Sequence, residues 1–328
     1  MEPRRVNGKN HWYHETQSNH AQPDVLPLVP EAANVDDRFL LDLDLPDEIV
    51  AACSGWLAPA RSLCHQLFPL SLPVNRLRTL SAYDRLSTAL TVAQACGVQR
   101  LCNHYAALLA PLPGPDSSRE SNRRLAQITQ YARQLASSPD VIDNKARNQL
   151  DEVGLSIYDV VVINQIIGFI GFQARVVAVF QALLGHPVRW LPGHHIQPHT
   201  LPTSSDAWIS LLPVVELRYA SAHQLESLSR WQAEPALEAL TPVLCHEPTL
   251  LDLMGEILIN SRETISLPPP ALSAAAELLT RSPDRFSAAQ FTPLTEEGLT
   301  AVQAINLLSQ CALEGWLNRL KAASGKAE

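Results

Sequence analysis

Glycine is scarce in this 328-residue chain, and several motifs that mark common enzyme classes do not occur in its sequence. A Gly-rich phosphate loop, a G-x-S-x-G elbow and an H-E-x-x-H pair are all missing, which excludes the commonest nucleotide-binding, serine-hydrolase and zinc-protease sites. Only 13 residues are glycine, whereas 25 are proline. Because the segments between prolines are rich in alanine and leucine, the composition favours helices ended by proline over strands and hairpins.

Basic residues are fewer than acidic residues. The chain has 25 Lys and Arg against 33 Asp and Glu, a formal net charge of -8, and it has no basic stripe. We therefore expect no nucleic-acid partner and no binding to an anionic membrane surface. The long apolar stretch Val160–Leu184 predicts a core helix rather than a membrane span. It is interrupted by Asn164, Gln165, Gln173 and Arg175.

The first twenty residues lack the apolar centre of a signal peptide. Six cysteines in a chain of this length, without an export signal, are typical of free thiols in a reducing compartment. We therefore expect a cytoplasmic protein.

The length favours two domains. We expect an N-terminal arm over residues 1–40, a helical domain over 41–187, a linker over 188–206 and a second helical domain over 207–328. The linker segment is rich in proline, histidine, serine and threonine.

Apolar spacing predicts an all-α fold, since no run of residues alternates as a strand would. Residues 83–96 show one apolar face at three- and four-residue steps, and Gly97 then allows a turn into a second helix over 98–109. Ser117 and Glu120 have the spacing of a capping box at the start of a third helix.

Ser156 is expected to cap a long apolar helix that runs through Phe180. Gly168 and Gly171 interrupt this helix with residues that disfavour helical structure. They predict that another backbone packs closely against it.

The first half of the chain recurs faintly in the second half at an offset of 144 residues. Helix-capping residues, glycines and an arginine share this single register, which predicts a duplicated domain. The matching positions are Ser138-Pro139-Asp140 with Ser282-Pro283-Asp284, Leu150 with Leu294, Glu152 with Glu296, Gly154 with Gly298, Leu155 with Leu299, Ser156 with Thr300, Gly171 with Gly315, and Arg175 with Arg319.

Four residues of the first half have side chains suited to thiol chemistry, namely Asp84, Cys96, Cys102 and His104. A cationic neighbour such as histidine stabilises a thiolate, and a carboxylate can orient that histidine or relay a proton. Spacing leaves two interpretations open. Cys102 and His104 are two residues apart, which points them to different sides of a helix, and both cysteines would also suit a core as small apolar residues.

The remaining cysteines and histidines carry weaker signals. Cys245-His246 could be a degenerate copy of the thiol site, but a loop with a buried cysteine is the favoured interpretation. Cys311 suits a core position, and Cys53 and Cys64 lie in the first helical region without other candidate ligands nearby in the sequence. His194, His195 and His199 suggest a metal, but Pro198 prevents one helix from presenting all three on one face. We expect neither a metal nor a cofactor.

Two segments carry a resemblance to a known family, namely YDRLSTALTVAQACGVQRLCNHYAALLA (83–110) and GLSIYDVVVINQIIGFIGFQARV (154–176). They resemble the carboxymuconolactone decarboxylase and alkylhydroperoxidase-D-like (AhpD-like) family, over residues 45–185 and, more faintly, 205–325. The helix end Phe172-Gln173-Ala174-Arg175 and its counterpart Trp316-Leu317-Asn318-Arg319 are similar to that family's aromatic-x-x-Arg end.

The resemblance implies a duplicated AhpD-like helical bundle that reduces a peroxide with a thiol reductant and assembles as a dimer or trimer. Cys102 would be the nucleophile, His104 its activator, Cys96 a resolving thiol and Asp84 a proton relay. The family pattern of two cysteines in C-x-x-C and a histidine four residues later is incomplete here, because Gln99 stands at one of the two cysteine positions in either register.

The missing C-x-x-C motif supports a second function class. A helical binding or regulatory protein could keep the fold and lose the chemistry. Thiol reactivity separates the two, because a redox site needs a cysteine that ionises well below a free thiol.

Overall fold

The computed structural model describes residues 28–188, 196–197 and 208–327, and this part of the chain is mostly helical. The all-α prediction is confirmed at this level. Seven α-helices precede residue 188: α1 (Asp47–Ala52), α2 (Ser54–Leu67), α3 (Ala82–Cys96), α4 (Gln99–Leu109), α5 (Arg119–Ser137), α6 (Asn144–Glu152) and α7 (Ile157–Leu183).

Six further helices follow residue 208: α8 (Ala222–Trp231), α9 (Thr241–Leu244), α10 (Pro248–Asn260), α11 (Pro270–Arg281), α12 (Ala288–Glu296) and α13 (Ala301–Ser324). Short 3₁₀ turns lie at Pro30–Ala33, Pro139–Val141, Leu217–Tyr219 and Pro283–Arg285. The one sheet of the described part pairs β1 (Trp208–Ser210) antiparallel with β2 (Gly325–Ala327), with Ile209 opposite Lys326. Strands of three residues are too short to show alternation, so the sequence pattern gave no sign of them.

Helix α7 is the centre of the core. It packs against α13, α3, α5 and α12, and nearly every side chain from Asp159 to Phe180 is buried. Its length and apolar composition would allow it to cross a membrane, but 89% of its most apolar window is buried inside the protein. It is therefore a core helix, as its interrupting polar residues predict.

Helix boundaries follow local capping. Ser81 and Asp84 form a reciprocal capping box at the start of α3, and Gly97 ends that helix in the left-handed conformation with φ of 72°. Ser156 and Asp159 form the same box at the start of α7, as expected. The predicted Ser117 cap was wrong by one residue, because Ser118 accepts the hydrogen bond from the Ser121 amide.

The prediction of a close backbone at Gly168 was also wrong. A Cβ on Gly168 would lie 1.7 Å from Cδ1 of Trp316, so an indole ring and not a backbone fills that space. The indole is buried and makes ring contacts with Phe169 and Phe172 of α7. Gly168 therefore lets Trp316 of α13 sit directly on α7.

Only part of the expected N-terminal arm can be compared with the structure, since residues 1–27 lie outside the described residues. The turn Pro30–Ala33 packs against α4, and Phe39 and Leu40 are buried in the core. The packed body therefore extends to the N-terminal side of residue 41. Of the expected linker, only Val188, Ile196 and Gln197 are described, and His194, His195 and His199 are not.

Local geometry recurs at the offset of 144 residues. Ser138 and Ser282 have nearly the same backbone angles, with φ of -148° and -150° and ψ of 69° and 66°, and each precedes a 3₁₀ turn. Gly154 and Gly298 both take positive φ, and Ser156 and Thr300 both cap the long helix that follows.

Candidate thiol site and adjoining cleft

The end of α3 and the start of α4 hold the two candidate cysteines. Cys96 is the last residue of α3, and Gly97 reverses the chain so that Cys102 lies in the second turn of α4. Burial raises the pKa of Cys102 to about 12, and the nearby Cys96 thiol adds to the rise. The turn thus brings Cys96 close enough to Cys102 to influence the ionisation of the Cys102 thiol.

Cys96 is buried against cationic side chains. It is 2% exposed, and burial raises the pKa of its thiol, whereas the guanidinium groups of Arg175 and Arg319 act to lower that pKa. Arg175 has the larger of these two effects. Cys96 is the one thiol among the six whose pKa two guanidinium groups act to lower.

The two arginines make matching contacts. Arg175 Nη2 donates to the carbonyl oxygen of Thr280 at 2.6 Å, and Arg319 Nη2 donates to that of Ala136 at 2.8 Å. Each also donates through Nη1 to the carbonyl four residues earlier in its own helix, at 2.7 Å and 2.8 Å. Ala136 and Thr280 are themselves 144 residues apart, so each arginine binds the carboxyl end of a helix in the other half.

His104 does not face the Cys102 thiol by helix geometry, because a two-residue step points side chains to different sides. Its Nδ1 lies 2.7 Å from the carbonyl oxygen of Ala32, whereas Nε2 is buried without a hydrogen-bond partner. Burial lowers the pKa of His104, so the ring is neutral at neutral pH. The structure therefore gives His104 a place beside the N-terminal turn rather than beside a thiol.

Asp84 lies at the other end of α3 from Cys96. Its carboxylate accepts the Ser81 amide at 3.0 Å and lies 3.8 Å from Arg124 Nη2. Twelve residues separate it from Cys96, roughly 18 Å along a helix. In this structure Asp84 stabilises the start of α3, and it is not brought to the thiols.

A cleft of about 460 Å³ lies next to this turn. Its wall is built by the turn itself, the start of α4, the end of α7, the N-terminal segment and the 3₁₀ turn that begins at Pro283. The polar residues in its lining are Gln99, Arg100, Asn103, His104, Gln181, His186 and Asp284. Gly97 and Val98, the two residues that follow Cys96, line the cleft.

The corresponding pair in the second half is engaged in structural contacts. Cys245 is fully buried, and its sulfur lies 3.7 Å from the carbonyl oxygen of Gln224. His246 Nε2 lies 3.0 Å from the carbonyl oxygen of Pro213. Asp252 accepts from Trp231 Nε1 at 2.7 Å and is 2.8 Å from His223 Nε2, so its carboxylate is committed to these partners.

All six cysteines are free thiols, and burial raises the pKa of each one. We expect the five thiols other than Cys96 to be protonated and nearly inert at neutral pH, because the thiolate is the reactive form and no pair of arginines opposes burial at these positions. Iodoacetamide at pH 7.5 should modify none of these five in the folded protein within a time that fully modifies the unfolded protein in urea. Mass spectrometry of tryptic peptides measures this site by site. A single cysteine among the five that reacts at the rate of an exposed thiol would contradict the expectation.

Sequence reasoning missed the pairing of Arg175 and Arg319 around Cys96. The signal was available, since two arginines at one offset each interrupt an apolar helix, and a buried arginine needs carbonyl or anionic partners. Gln99, which stands at a cysteine position of the family pattern, also lines the cleft, and its Oε1 is buried without a partner.

Within the described residues, no three His, Cys, Asp or Glu side chains converge on a point that could hold a metal ion. Comparison with models of protein families finds no match to this chain, and comparison with curated proteins finds none either.

Proposed function

We propose that this chain is a duplicated AhpD-like protein and a thiol-dependent oxidoreductase that reduces a hydroperoxide. The observation that carries the proposal is the Cys96 thiol, whose pKa the guanidinium groups of Arg175 and Arg319 act to lower against the effect of burial, next to a turn that lines a cleft. A guanidinium beside a sulfur stabilises the thiolate, which is the species that attacks a peroxide.

The duplication is supported by contacts that obey the 144-residue offset. Besides the two arginine contacts, the amide of Ile196 donates to the carbonyl of Arg281 at 3.0 Å and that of Gln197 to the carbonyl of Ser137 at 2.8 Å. Residues 137 and 281 are again equivalent positions. Ile196 and Gln197 are adjacent in the chain and lie between its two halves, and they thus bind equivalent positions in those halves. A pseudo-twofold axis that passes near these two residues would produce this arrangement.

The proposed roles of the cysteines follow their surroundings. Cys96 is the nucleophile because Arg175 and Arg319 act to lower its pKa, and Cys102 is the resolving thiol, the reverse of the order that the family resemblance implies. His104 and Asp84 take no part in the proton transfer, since one bonds Ala32 and the other caps α3.

The chemistry balances with one external dithiol. The Cys96 thiolate attacks the terminal peroxide oxygen, so an S–O bond forms as the O–O bond breaks, and the leaving alkoxide takes up a proton as the alcohol. The Cys102 thiol then attacks the sulfenic sulfur, an S–S bond forms as the S–O bond breaks, and the thiol proton leaves with the hydroxyl group as water. Thiol–disulfide exchange with the dithiol restores both thiols, so one hydroperoxide is reduced and one dithiol is oxidised.

The test is hydroperoxide-dependent oxidation of dithiothreitol by the wild type, Cys96→Ser, Cys102→Ser and the control Cys311→Ser. We expect Cys96→Ser to lose at least tenfold in rate and Cys311→Ser to match the wild type. Cys102→Ser should keep turnover, because dithiothreitol reduces a sulfenic acid directly. A wild-type rate equal to the rate without protein, or an unchanged rate in Cys96→Ser, would refute the proposal.

A second candidate is a helical binding protein without thiol chemistry. It is favoured by the burial that raises the pKa of every thiol, including Cys96. Inert thiols together with a failed peroxidase assay would make it the leading account.

Cellular location and assembly are part of the same proposal. Six free thiols suit the cytoplasm, and a dimer or trimer would suit the family that the chain resembles. The partners we propose are a small hydroperoxide and a thiol reductant.

A further inference from the structure

Two segments of the surface carry most of the exposed apolar side chains in the described part of the chain. The first segment is residues 70–78, in the connection between α2 and α3, and the second is residues 213–226, which end in the first turns of α8. Together they have 23 residues, none of them buried, and they hold seven of the thirteen large apolar side chains that are exposed. A cluster of this kind marks an interaction site, whereas single exposed apolar residues are common. The seven are Leu70, Val74 and Leu77 in the first segment and Val214, Leu217, Tyr219 and Leu225 in the second.

Both segments border the turn that precedes α10. Arg78 of the first segment forms an ion pair with Glu247, with 2.8 Å between Nη2 and Oε1. In the second segment, the carbonyl oxygen of Pro213 lies 3.0 Å from Nε2 of His246. Because His246 and Glu247 are neighbours in the chain, the two segments lie side by side. Their apolar side chains therefore form one surface, to which both halves of the chain contribute.

The two segments differ in charge. The first has two arginines and no acidic residue, whereas the second has two glutamates and one arginine. Arg78 is already paired, and Arg218 pairs with Glu216 at 2.9 Å. Arg76 and Glu226 are exposed, and neither forms an ion pair within the described residues. Each segment thus keeps one unpaired charge, and the two charges are of opposite sign.

We infer that two copies of this chain form a twofold-symmetric dimer through this surface. In such an interface both copies present the same patch, so the first segment of one copy packs on the second segment of the other. Arg76 then lies opposite Glu226 twice, with the apolar side chains between the two ion pairs. Because the segments lie side by side, one axis lets both contacts form at once, whereas separated surfaces would build a ring or a filament.

The size of the surface suits a stable dimer. An interface of standard size takes about 20 to 30 residues from each partner, and the two segments provide 23. An apolar centre with charged groups at its margin is also the usual arrangement of such interfaces.

This inference names the surface for the dimer that the proposed function expects, but it does not depend on thiol chemistry. Neither segment contains a cysteine. A failed peroxidase assay therefore leaves the dimer unaffected, and a protein that stays monomeric leaves the result of the peroxidase assay unaffected.

The test is sedimentation velocity of the full chain over a concentration series up to about 50 μM, where an interface of standard size should associate. Arg76→Glu and Glu226→Arg each place like charges opposite one another twice, and each should weaken the dimer at least tenfold. The double variant restores both ion pairs and should dissociate within about threefold of the wild type. Arg133→Glu makes the same charge change at an exposed position outside the segments and should have no effect. A monomer at every concentration, a trimer, or a double variant as weak as the single ones would overturn the inference.

The apolar contacts are tested with a pair of exposed leucines. Leu77→Ser should weaken the dimer at least tenfold, because this side chain is 57% exposed in the single chain and becomes buried between the copies. Leu267 is 85% exposed and lies outside both segments, so Leu267→Ser should not change the dimer. Equal effects of the two substitutions would contradict the assigned contacts.

Hydrogen exchange shows what covers the surface. We expect the amides of residues 70–78 to exchange more slowly at a concentration that gives the dimer than at one that gives the monomer. Equal exchange at both concentrations would overturn the inference. Slow exchange at both would then show that another part of the same chain, such as residues 1–27, covers the surface.

Discussion

Gly168→Ala should lower the free energy of unfolding by about 3 kcal/mol, even though alanine is the better helix former. The added Cβ would lie 1.7 Å from Cδ1 and 2.2 Å from Nε1 of Trp316. A rigid indole packed between Phe169 and Phe172 cannot move aside without giving up those contacts. The helices α7 and α13 must therefore separate, which weakens the most extensive helix pair of the described core. Urea denaturation followed by circular dichroism measures the effect.

Gly171→Ala is the matched control, one turn along the same helix. Its Cβ would meet only Nη1 of Arg175, at 3.4 Å, so the stability should change by less than about 1 kcal/mol. Trp316→Leu should partly rescue Gly168→Ala, because the smaller side chain gives the Cβ room. A double-mutant cycle should show a coupling of at least about 1 kcal/mol. Equal effects of the two glycine substitutions, or no coupling, would contradict the proposed contact.

The fold class could be read from the sequence because its signals are local. Gly97 and Ser156 act on the residues next to them, and the structure finds each at the helix end that the pattern indicates. Ser117 shows where local signals are not sufficient, since either of two adjacent serines could cap the helix. The backbone conformation makes Ser118 the residue that does so. The role of Gly168 depends on an indole 148 residues away, which no local signal reveals.

The candidate site was harder to predict for the same reason. The sequence indicated that Cys102 and His104 would lie on different sides of α4, and that Asp84 was a helical distance from Cys96. It could not indicate that Ala32 binds the His104 ring or that Arg319 lies near Cys96, because these contacts join segments far apart in the chain. The spacing of residues along a helix can show that two side chains are too far apart to touch. It cannot show which distant segments of the chain come into contact.

Alkaline pH should destabilise the folded chain steeply. Burial raises the pKa of Cys64, Cys102 and Cys245 to about 12 each, from a value near 9 in the unfolded chain. The stability from a raised pKa is fully present below the unfolded value and is lost as pH rises from about 9 towards 12. At pH 10 the loss is roughly 1.4 kcal/mol per thiol, or about 4 kcal/mol for the three, relative to pH 7. Urea denaturation at pH 7, 9 and 10 measures it.

The ionisation of Arg319 changes the stability in the opposite direction to that of the thiols as pH rises. The thiol contribution must therefore be measured by comparing proteins that all keep Arg319. Burial lowers its pKa to about 9, so the cost of its buried charge falls as pH rises above that value and stability increases. Cys102→Ala leaves this contribution in place and removes one thiol. Its loss of stability between pH 7 and pH 10 should therefore be smaller than that of the wild type by roughly 1.4 kcal/mol. Ser117→Ala, an exposed change without an ionisable group, should reproduce the wild-type dependence. If Cys102→Ala does so too, the Cys102 thiol ionises as readily in the folded chain as in the unfolded one, and the low thiol reactivity expected from burial fails with it.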